Sequence, residues 1–380
     1  MQTTAIQPSA KPKIAYIDRL KVIMTILVIL HHTFITYGAP GGWYFYQKTT
    51  NEIVKIPMTM FVAVNQSFFM GFFFFLSAYF MPSSLRKKGA KKFIGDRVIR
   101  LGIPLVFYSL VLGPLMNYMI YYWGYGKHIT LTQYLSGYDS WIDFGVLWFV
   151  AALLLFTLIY VALDALASKK DEQVRKITFS QVVLFALAIG VVSFLVRLVF
   201  PLGWVLKPVG FQLAYFPQYI ALFSAGILAA KYKWLDSIGD KQGRKGLLLA
   251  LLMVLVVFPL LFVGVKVLKL PFDWFNGGWH WQAIVLGLWE QLTGFGIIVA
   301  LVAKGKRSWN NGSSFWDSLS RRAFAVYIFH PLLVISLTLE FFSWTIEPAL
   351  KLLVVAPLAV AGSFLLASVL VLIPGVKRII

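Results

Sequence analysis

Ten runs of apolar residues, each about 20 residues long, recur through this chain of 380 residues. About 20 apolar residues in a helix cross the hydrocarbon core of a bilayer. Because 59% of the residues are hydrophobic and only 13% are charged, a soluble globular domain is excluded. The sequence predicts one all-α membrane domain over 1–380, a polytopic bundle of about ten transmembrane helices behind an N-terminal tail of residues 1–15. The predicted spans are 16–37, 57–81, 101–123, 145–166, 179–200, 211–230, 246–268, 282–303, 323–341 and 350–373.

The positive charges favour one orientation of these spans. Most of the 35 lysines and arginines fall in the N-terminal segment, in every second connection and at the C-terminus. Basic residues in short connections stay in the cytoplasm, so we expect both ends of the chain inside the cell and a multi-pass protein of the inner (plasma) membrane. The net charge of +20 is then a signal of topology and needs no nucleic-acid partner. The absence of cysteine excludes disulfides and thiolate nucleophiles.

A few ionisable residues lie inside predicted spans, where they are costly and therefore indicate function. They are His31 and His32 in the first span, Arg197 in the fifth, Glu290 in the eighth and His330 in the ninth. Histidine suits proton abstraction from a hydroxyl because its ordinary pKa is near neutrality. Structural hydrogen bonding between helices and proton transfer in a transporter are the alternatives.

The first span places three of its polar residues on one helical face. Lys21 and His32 are separated by close to three turns, or about 16 Å, and Asp18 lies one turn before Lys21. We therefore expect a charge pair at one mouth of the span and an imidazole deep in the membrane. His31 points about 100° away, either as a packing residue or as a second member of the site.

A pair of arginines precedes the third span. Arg97 and Arg100 share a helical face just before Pro104, and guanidinium groups match phosphate oxygens in pairs. The pair suits the phosphates of a donor such as coenzyme A, although anchoring to lipid headgroups is an alternative. The sequence has no glycine-rich phosphate loop, so use of ATP is not indicated.

Five segments, in this order, resemble signatures of the bacterial acyltransferase-3 family of membrane proteins. They are Lys21 to His32, Gly71 to Phe80, Arg97 to Pro104, Leu147 to Phe149, and Ala325 to Pro331. The resemblance covers nearly the whole chain and points to the branch of sugar O-acyltransferases and glucan succinyltransferases. Two positions differ, since Lys21 stands where arginine is usual and Ala78 stands where glycine is usual.

The resemblance implies an acyl-CoA co-substrate that enters from the cytoplasm and a hydroxyl acceptor, often of a sugar or cell-surface glycan, on the outer side. His32 would be the general base. His31 is a further candidate, and Glu290 would orient the imidazole unless it pairs with Arg197 or is protonated. Arg97 and Arg100, with Lys21 or Arg19, would hold the donor phosphates, and His330 would give support or pack between helices. We expect no further cofactor and no metal.

The connections on the outer side are rich in tyrosine and tryptophan, notably 41–46, 118–143 and 274–281. They are either an interfacial aromatic belt or a platform for sugar rings. The main alternative function is a proton-coupled transporter or flippase for a lipid-linked or anionic solute. A non-catalytic scaffold is a third possibility, but it leaves the histidine in the first span without a role.

Overall fold

A computed structural model describes residues 14–166 and 174–379, and within these ranges ten helices are long and apolar enough to cross a membrane. They are α1 Ala15–Tyr37, α2 Glu52–Lys88, α3 Ala90–Gly124, α4 Gly145–Leu166, α5 Phe179–Arg197, α6 Leu213–Tyr232, α7 Asp240–Val267, α8 Trp281–Ser308, α9 Ser314–Glu340 and α10 Pro348–Leu370. The described part has no β-strand, so the all-α membrane bundle is confirmed. Most of the expected N-terminal tail and the charges Lys169 and Lys170 lie outside the described residues.

Every second connection lies at the same end of the bundle, and a hydrogen bond joins two of the connections at one end. Lys306, near the end of α8, donates a hydrogen bond of 2.6 Å to the Leu235 carbonyl in the link from α6 to α7. We call this side the basic end, defined by the start of α1, Gly89, 233–239 and 309–313. The other side is the aromatic end, defined by the connections 38–51, 125–144, 198–212, 268–280 and 341–347.

The second and third spans are longer than expected. The basic stretch between them, expected to be a loop, is helical on both sides of Gly89, where φ is +74°. A residue without Cβ adopts this backbone conformation without strain, so the chain turns sharply at this point. The basic side chains of this stretch therefore project from helices at the basic end.

Prolines account for most of the π-helical turns within the long helices. Turns of π-helix occupy Val98–Gly102, Tyr108–Leu112 and Met253–Val257. Each ends two residues before a proline, which has no N–H to bond the carbonyl four residues earlier. The first of these turns includes Arg100, so Arg97 and Arg100 are not on a regular α-helical face as expected.

Small residues set the close helix contacts around the centre of the bundle. A Cβ atom at Gly226 of α6 would lie 2.4 Å from the Phe75 carbonyl oxygen and 2.9 Å from the Ala78 Cβ of α2. Glycine on α6 therefore makes room for the alanine that replaces the usual glycine on α2. Helix α1 contacts α2, α8, α9 and α10, which places its histidines inside the bundle.

Candidate active site

Two histidines from distant parts of the chain meet within the bundle. The His32 Nδ1 atom of α1 lies 3.0 Å from the His330 Nε2 atom of α9. The two imidazole rings are nearly parallel, with centroids 5.1 Å apart. His330 is fully buried, whereas His32 is half-buried and lines a cavity. His330 is therefore the direct partner of His32, a pairing that the sequence alone did not predict.

The backbone of α9 determines which nitrogens carry the protons. Pro331 has no N–H, so it cannot bond the Tyr327 carbonyl four residues earlier, and the His330 Nδ1 atom takes this position at 2.8 Å. A carbonyl only accepts hydrogen bonds, so Nδ1 of His330 must donate, and Nε2 of the neutral ring must accept. His32 must then donate from Nδ1. The Nε2 atom of His32 is left unprotonated, as a general base requires.

The aromatic end contributes a tryptophan that covers the base. The Trp43 ring stacks on the His32 ring, with centroids 4.3 Å apart and an angle of 18° between the planes. Its indole Nε1 is buried and has no hydrogen-bond partner among the described residues. The loop that holds Trp43 is joined to the connection after α9, because the Gln47 Nε2 donates to the Phe342 carbonyl at 3.1 Å. Trp43 thus restricts the orientation of the imidazole and offers a donor beside it.

A cavity of about 940 Å³ extends from the aromatic end down to these histidines. Its rim includes loop residues at positions 40–42, 202–203 and 273–276, and its deepest residue on α1 is Val28. Its walls combine aromatic side chains with a small number of polar groups, the composition typical of small-molecule sites. The cavity residues that bear on the chemistry are His31, His32, Trp43, Tyr44, Gln66, Asp143, Trp148, Gln212, Tyr215, Tyr219, Asp273, Asn276, Glu290 and Tyr327.

Glu290 lines the same cavity, but its hydrogen-bond partner is not His32. Its Oε2 atom lies 2.5 Å from Nη2 of Arg197, and both side chains are buried. The Arg197 guanidinium also lies over the Tyr215 ring, 5.5 Å from its centroid. The expected orientation of His32 by Glu290 is therefore corrected, because Arg197 holds this carboxylate, as the alternative from the sequence proposed. The pair puts the Glu290 carboxylate in the cavity wall, with the buried Arg197 guanidinium behind it.

His31 packs within the bundle and also lines the cavity. Its ring packs on Phe69 of α2, with centroids 4.8 Å apart, and meets the His32 ring edge-on at 5.5 Å. The residue is buried and lines the cavity, and its Nδ1 atom has no hydrogen-bond partner within the described ranges. It is a packing residue at the cavity wall, and its Nδ1 atom is buried without a partner in the described part of the chain.

A cluster of hydroxyl groups forms the wall near Asp143. The Tyr44 and Tyr108 hydroxyls are 2.5 Å apart, and burial raises the pKa of Tyr44, which stays neutral and able to donate. Gly145, with φ of +44°, lies so close that an added Cβ would meet the Tyr44 hydroxyl. The Tyr327 hydroxyl bonds the Val146 carbonyl, which ties α9 to this wall. Glycine is therefore required where the wall is thinnest.

The four basic residues expected to bind the donor lie at the basic end, away from the cavity. Lys21 pairs with Asp18 at 3.4 Å, which confirms the charge pair expected on α1. The Arg19 Nη2 donates to the Asn311 carbonyl at 2.5 Å. Arg97 lies over the Phe93 ring, at 5.2 Å from its centroid, and Arg100 lies over the Phe324 ring of α9 at 5.8 Å. None of the four lines the cavity.

Arg100 nevertheless reaches the helix that holds the site. Its ring partner Phe324 precedes His330 by six residues, a rise of about 9 Å along α9. Along α1, Lys21 lies seven residues, or about 10 Å, beyond the deepest cavity residue Val28. A layer roughly two helical turns thick thus separates the basic groups from the cavity floor.

Fold and site together define a polytopic helical membrane protein with a central cavity lined by His32, which is hydrogen-bonded to the buried His330. Residues 14–368 match the model of the acyltransferase-3 family, described as an acyltransferase domain, and the chain therefore belongs to this family. Membership implies an acyl-transfer function for a protein that spans the membrane several times. Neither a curated protein nor a solved structure gives a match to the chain.

Proposed function

We propose that the protein is an O-acyltransferase that takes an acyl group from acyl-CoA at the basic end and transfers it to a hydroxyl group at the aromatic end. The observation that carries the proposal is the His32–His330 hydrogen bond at the floor of a cavity whose rim lies at the aromatic end. The charge pattern supports a cytoplasmic basic end and an aromatic end outside the inner membrane.

In the proposed reaction, the acceptor hydroxyl attacks the thioester carbonyl carbon while the Nε2 atom of His32 takes its proton. The tetrahedral intermediate then collapses. The carbon–sulfur bond breaks, the ester remains on the acceptor, and the coenzyme A thiolate takes the proton back from the imidazolium. His330 accepts from Nδ1 of His32 throughout and stabilises the imidazolium, a role comparable to that of the acid in a catalytic triad.

The oxyanion of that intermediate needs donors close to the base. Trp43 Nε1 and His31 Nδ1 belong to side chains that line the cavity on either side of His32, and neither has a partner among the described residues. The Trp43 indole always donates, and His31 donates in the tautomer protonated at Nδ1. We assign them the binding of the developing charge or of acceptor hydroxyls, which requires these buried atoms to turn toward the cavity when the substrates bind.

The donor is proposed to bind through its phosphates to Arg97 and Arg100, with help from Lys21 or Arg19. The spacing supports this arrangement, because about 16 Å of α1 separates Lys21 from His32 and an extended pantetheine arm has a similar length. The thioester must pass the layer between Lys21 and Val28, so side chains of that layer must move aside when the donor binds.

The acceptor is proposed to be a sugar or a cell-surface glycan. Flat aromatic faces suit the apolar faces of sugar rings, and carboxylates accept hydrogen bonds from hydroxyls. The cavity offers both, in Trp148 stacked on Tyr219 with centroids 5.4 Å apart and in Asp143 and Asp273. We assign to Glu290, held by Arg197, a contact with a polar group of the same acceptor.

The test is release of free coenzyme A thiol by purified protein supplied with acetyl-CoA or succinyl-CoA and a panel of sugars. The chain has no cysteine, so a thiol reagent reports coenzyme A without background from the protein. The wild type should release thiol only with donor and acceptor together. His32→Ala should lose the activity, whereas His128→Ala, a histidine exposed at the aromatic end, should keep it. A wild type that binds acyl-CoA and releases no thiol with any acceptor would favour the transporter instead.

A further inference from the structure

A second large cavity lies between α5 and α6, on the side of the bundle away from the histidines, with a volume of about 1040 Å³. Its back wall is α8. We call it the α5–α6 groove. Helix α6 contributes to the walls of both cavities, because Leu213, Phe216 and Ile220 line the groove whereas Tyr215 and Tyr219 line the histidine cavity.

The groove runs along the membrane-spanning part of α5 as one apolar stripe. Its lining residues on α5 recur every three or four positions, which places them on one helical face: Val182, Phe185, Ile189, Val192 and Val196. The stripe is about 21 Å long, more than half the thickness of the hydrocarbon core of a bilayer. The outer parts of Val192 and Ile220 are exposed, so the groove opens sideways to lipid.

At the basic end, the groove is lined by positively charged and aromatic residues instead of aliphatic ones. Arg175 and Lys176, in the segment before α5, both line the groove there. The Arg175 backbone N–H donates to the Tyr232 carbonyl at 3.1 Å, and its guanidinium lies over the Tyr232 ring, 4.7 Å from the centroid. Trp234, which also lines the groove, stacks with Tyr232. Two cations beside two aromatic rings at a helix end are typical of the headgroup level of a membrane.

We propose that the α5–α6 groove is a binding site for an anionic phospholipid of the leaflet at the basic end. The phosphate lies against Arg175 and Lys176, and one acyl chain fills the stripe between α5 and α6. An aqueous ligand has no access to an apolar groove at this depth, and a zwitterionic lipid gains less from two cations. Since α6 forms both walls, the bound chain also supports the position of Tyr215 and Tyr219 in the neighbouring cavity.

The experiment is native mass spectrometry of the detergent-purified full chain, titrated with phosphatidylglycerol or phosphatidylcholine of matched chains. The wild type should retain one phosphatidylglycerol in preference to phosphatidylcholine. The double variant Arg175→Gln and Lys176→Gln should weaken this binding by about fivefold for each cation lost. The control, Lys241→Gln with Lys245→Gln, removes two exposed charges at the same end that do not line the groove, and it should bind as the wild type does.

The chain-binding part has its own test. Ser224→Trp places a large side chain in the middle of the groove and should lower phosphatidylglycerol binding while both cations remain. Leu195→Trp adds the same side chain on α5 outside the groove, where Leu195 is 49% exposed, and should have no effect. Equal binding of the two lipids, or full retention by either the double variant or Ser224→Trp, would overturn the proposal. Thermal midpoints measured alongside show that each variant is folded.

Discussion

Replacing His330 with phenylalanine removes the acceptor of the His32 hydrogen bond but keeps a flat ring in the same buried position. In the wild type, the two ring nitrogens are 3.0 Å apart, and the bond strengthens when His32 becomes an imidazolium during the reaction. A hydrogen bond to a charged group contributes about 1.5–3 kcal/mol. The expected result is therefore a decrease in kcat of about 10- to 150-fold. The KM for acyl-CoA should be unchanged, because His330 lies away from the arginines proposed to bind the donor.

The assay is steady-state release of coenzyme A thiol at saturating acceptor, with kcat and KM determined separately. His330→Gln is the matched variant, because its amide supplies an oxygen that accepts from His32 and an N–H that donates to the Tyr327 carbonyl. It should recover a substantial part of the lost rate. His128→Gln is the control for loss of a histidine elsewhere, and it should leave kcat unchanged.

Two results would refute the assignment of His330. A phenylalanine variant with wild-type kcat would show that the hydrogen bond does not orient the base. Equal loss of kcat in the phenylalanine and glutamine variants, with unchanged thermal midpoints, would show that the proton arrangement derived from the Tyr327 carbonyl is not the one used.

Three further predictions concern other parts of the site. Pro331→Ala restores an N–H that competes for the carbonyl four residues earlier, so kcat should fall about two- to tenfold, the effect of weakening one neutral hydrogen bond, while the thermal midpoint stays or rises. Arg97→Gln and Arg100→Gln should each raise the KM for acyl-CoA by about 10- to 150-fold with little change in kcat, whereas Lys91→Gln, an exposed charge in the same helix, should not. Glu290→Gln leaves its buried arginine partner uncompensated, and the thermal midpoint should fall by an amount equivalent to about 3 kcal/mol or more.

Each of these has an outcome that counts against it. A Pro331→Ala enzyme with wild-type kcat would mean that the free carbonyl has no part in the tautomer of His330. If the arginine variants lower kcat and leave KM alone, the donor phosphates bind elsewhere. If adding Arg197→Gln to Glu290→Gln does not recover stability, the two side chains are not coupled as the structure indicates.

The fold was largely predictable from the sequence because membrane helices must satisfy their own backbone and be long enough to cross the bilayer. All ten spans are confirmed as helices. The prediction of a loop around Gly89 was wrong, because lysines and arginines are good helix formers and only the glycine interrupts them. Hydropathy measures whether a segment is buried in lipid, and it does not detect a helix that continues into water.

The ionisable residues inside the spans could be singled out because charge there is rare, but their partners could not. His32 and His330 are 298 positions apart, and nothing in either helix alone indicates that they meet. For Glu290 the sequence left His32 and Arg197 open as partners, and the structure pairs it with Arg197, 93 positions away on α5. One signal was present, since the proline after His330 frees a carbonyl within reach of that side chain.

The role of Trp43 depended on loop geometry that periodicity does not contain. Its aromatic loop suited either an interfacial belt or a platform, and neither interpretation places the indole against the half-buried His32. The expected binding of the donor by Arg97, Arg100, Lys21 and Arg19 stays a prediction, because these groups lie at the basic end beyond the cavity floor.

Proteoliposomes show directly whether the acyl group is transferred from one end of the bundle to the other. Orientation is first set by labelling single cysteines, which the cysteine-free chain allows at Lys91 for the basic end and at Lys127 for the aromatic end. Radiolabelled acyl-CoA is then supplied only at the basic end, with a sugar acceptor only at the aromatic end. We expect labelled ester on the acceptor side, free coenzyme A on the donor side, and neither with His32→Ala. Ester formed only when donor and acceptor share the same side would contradict it.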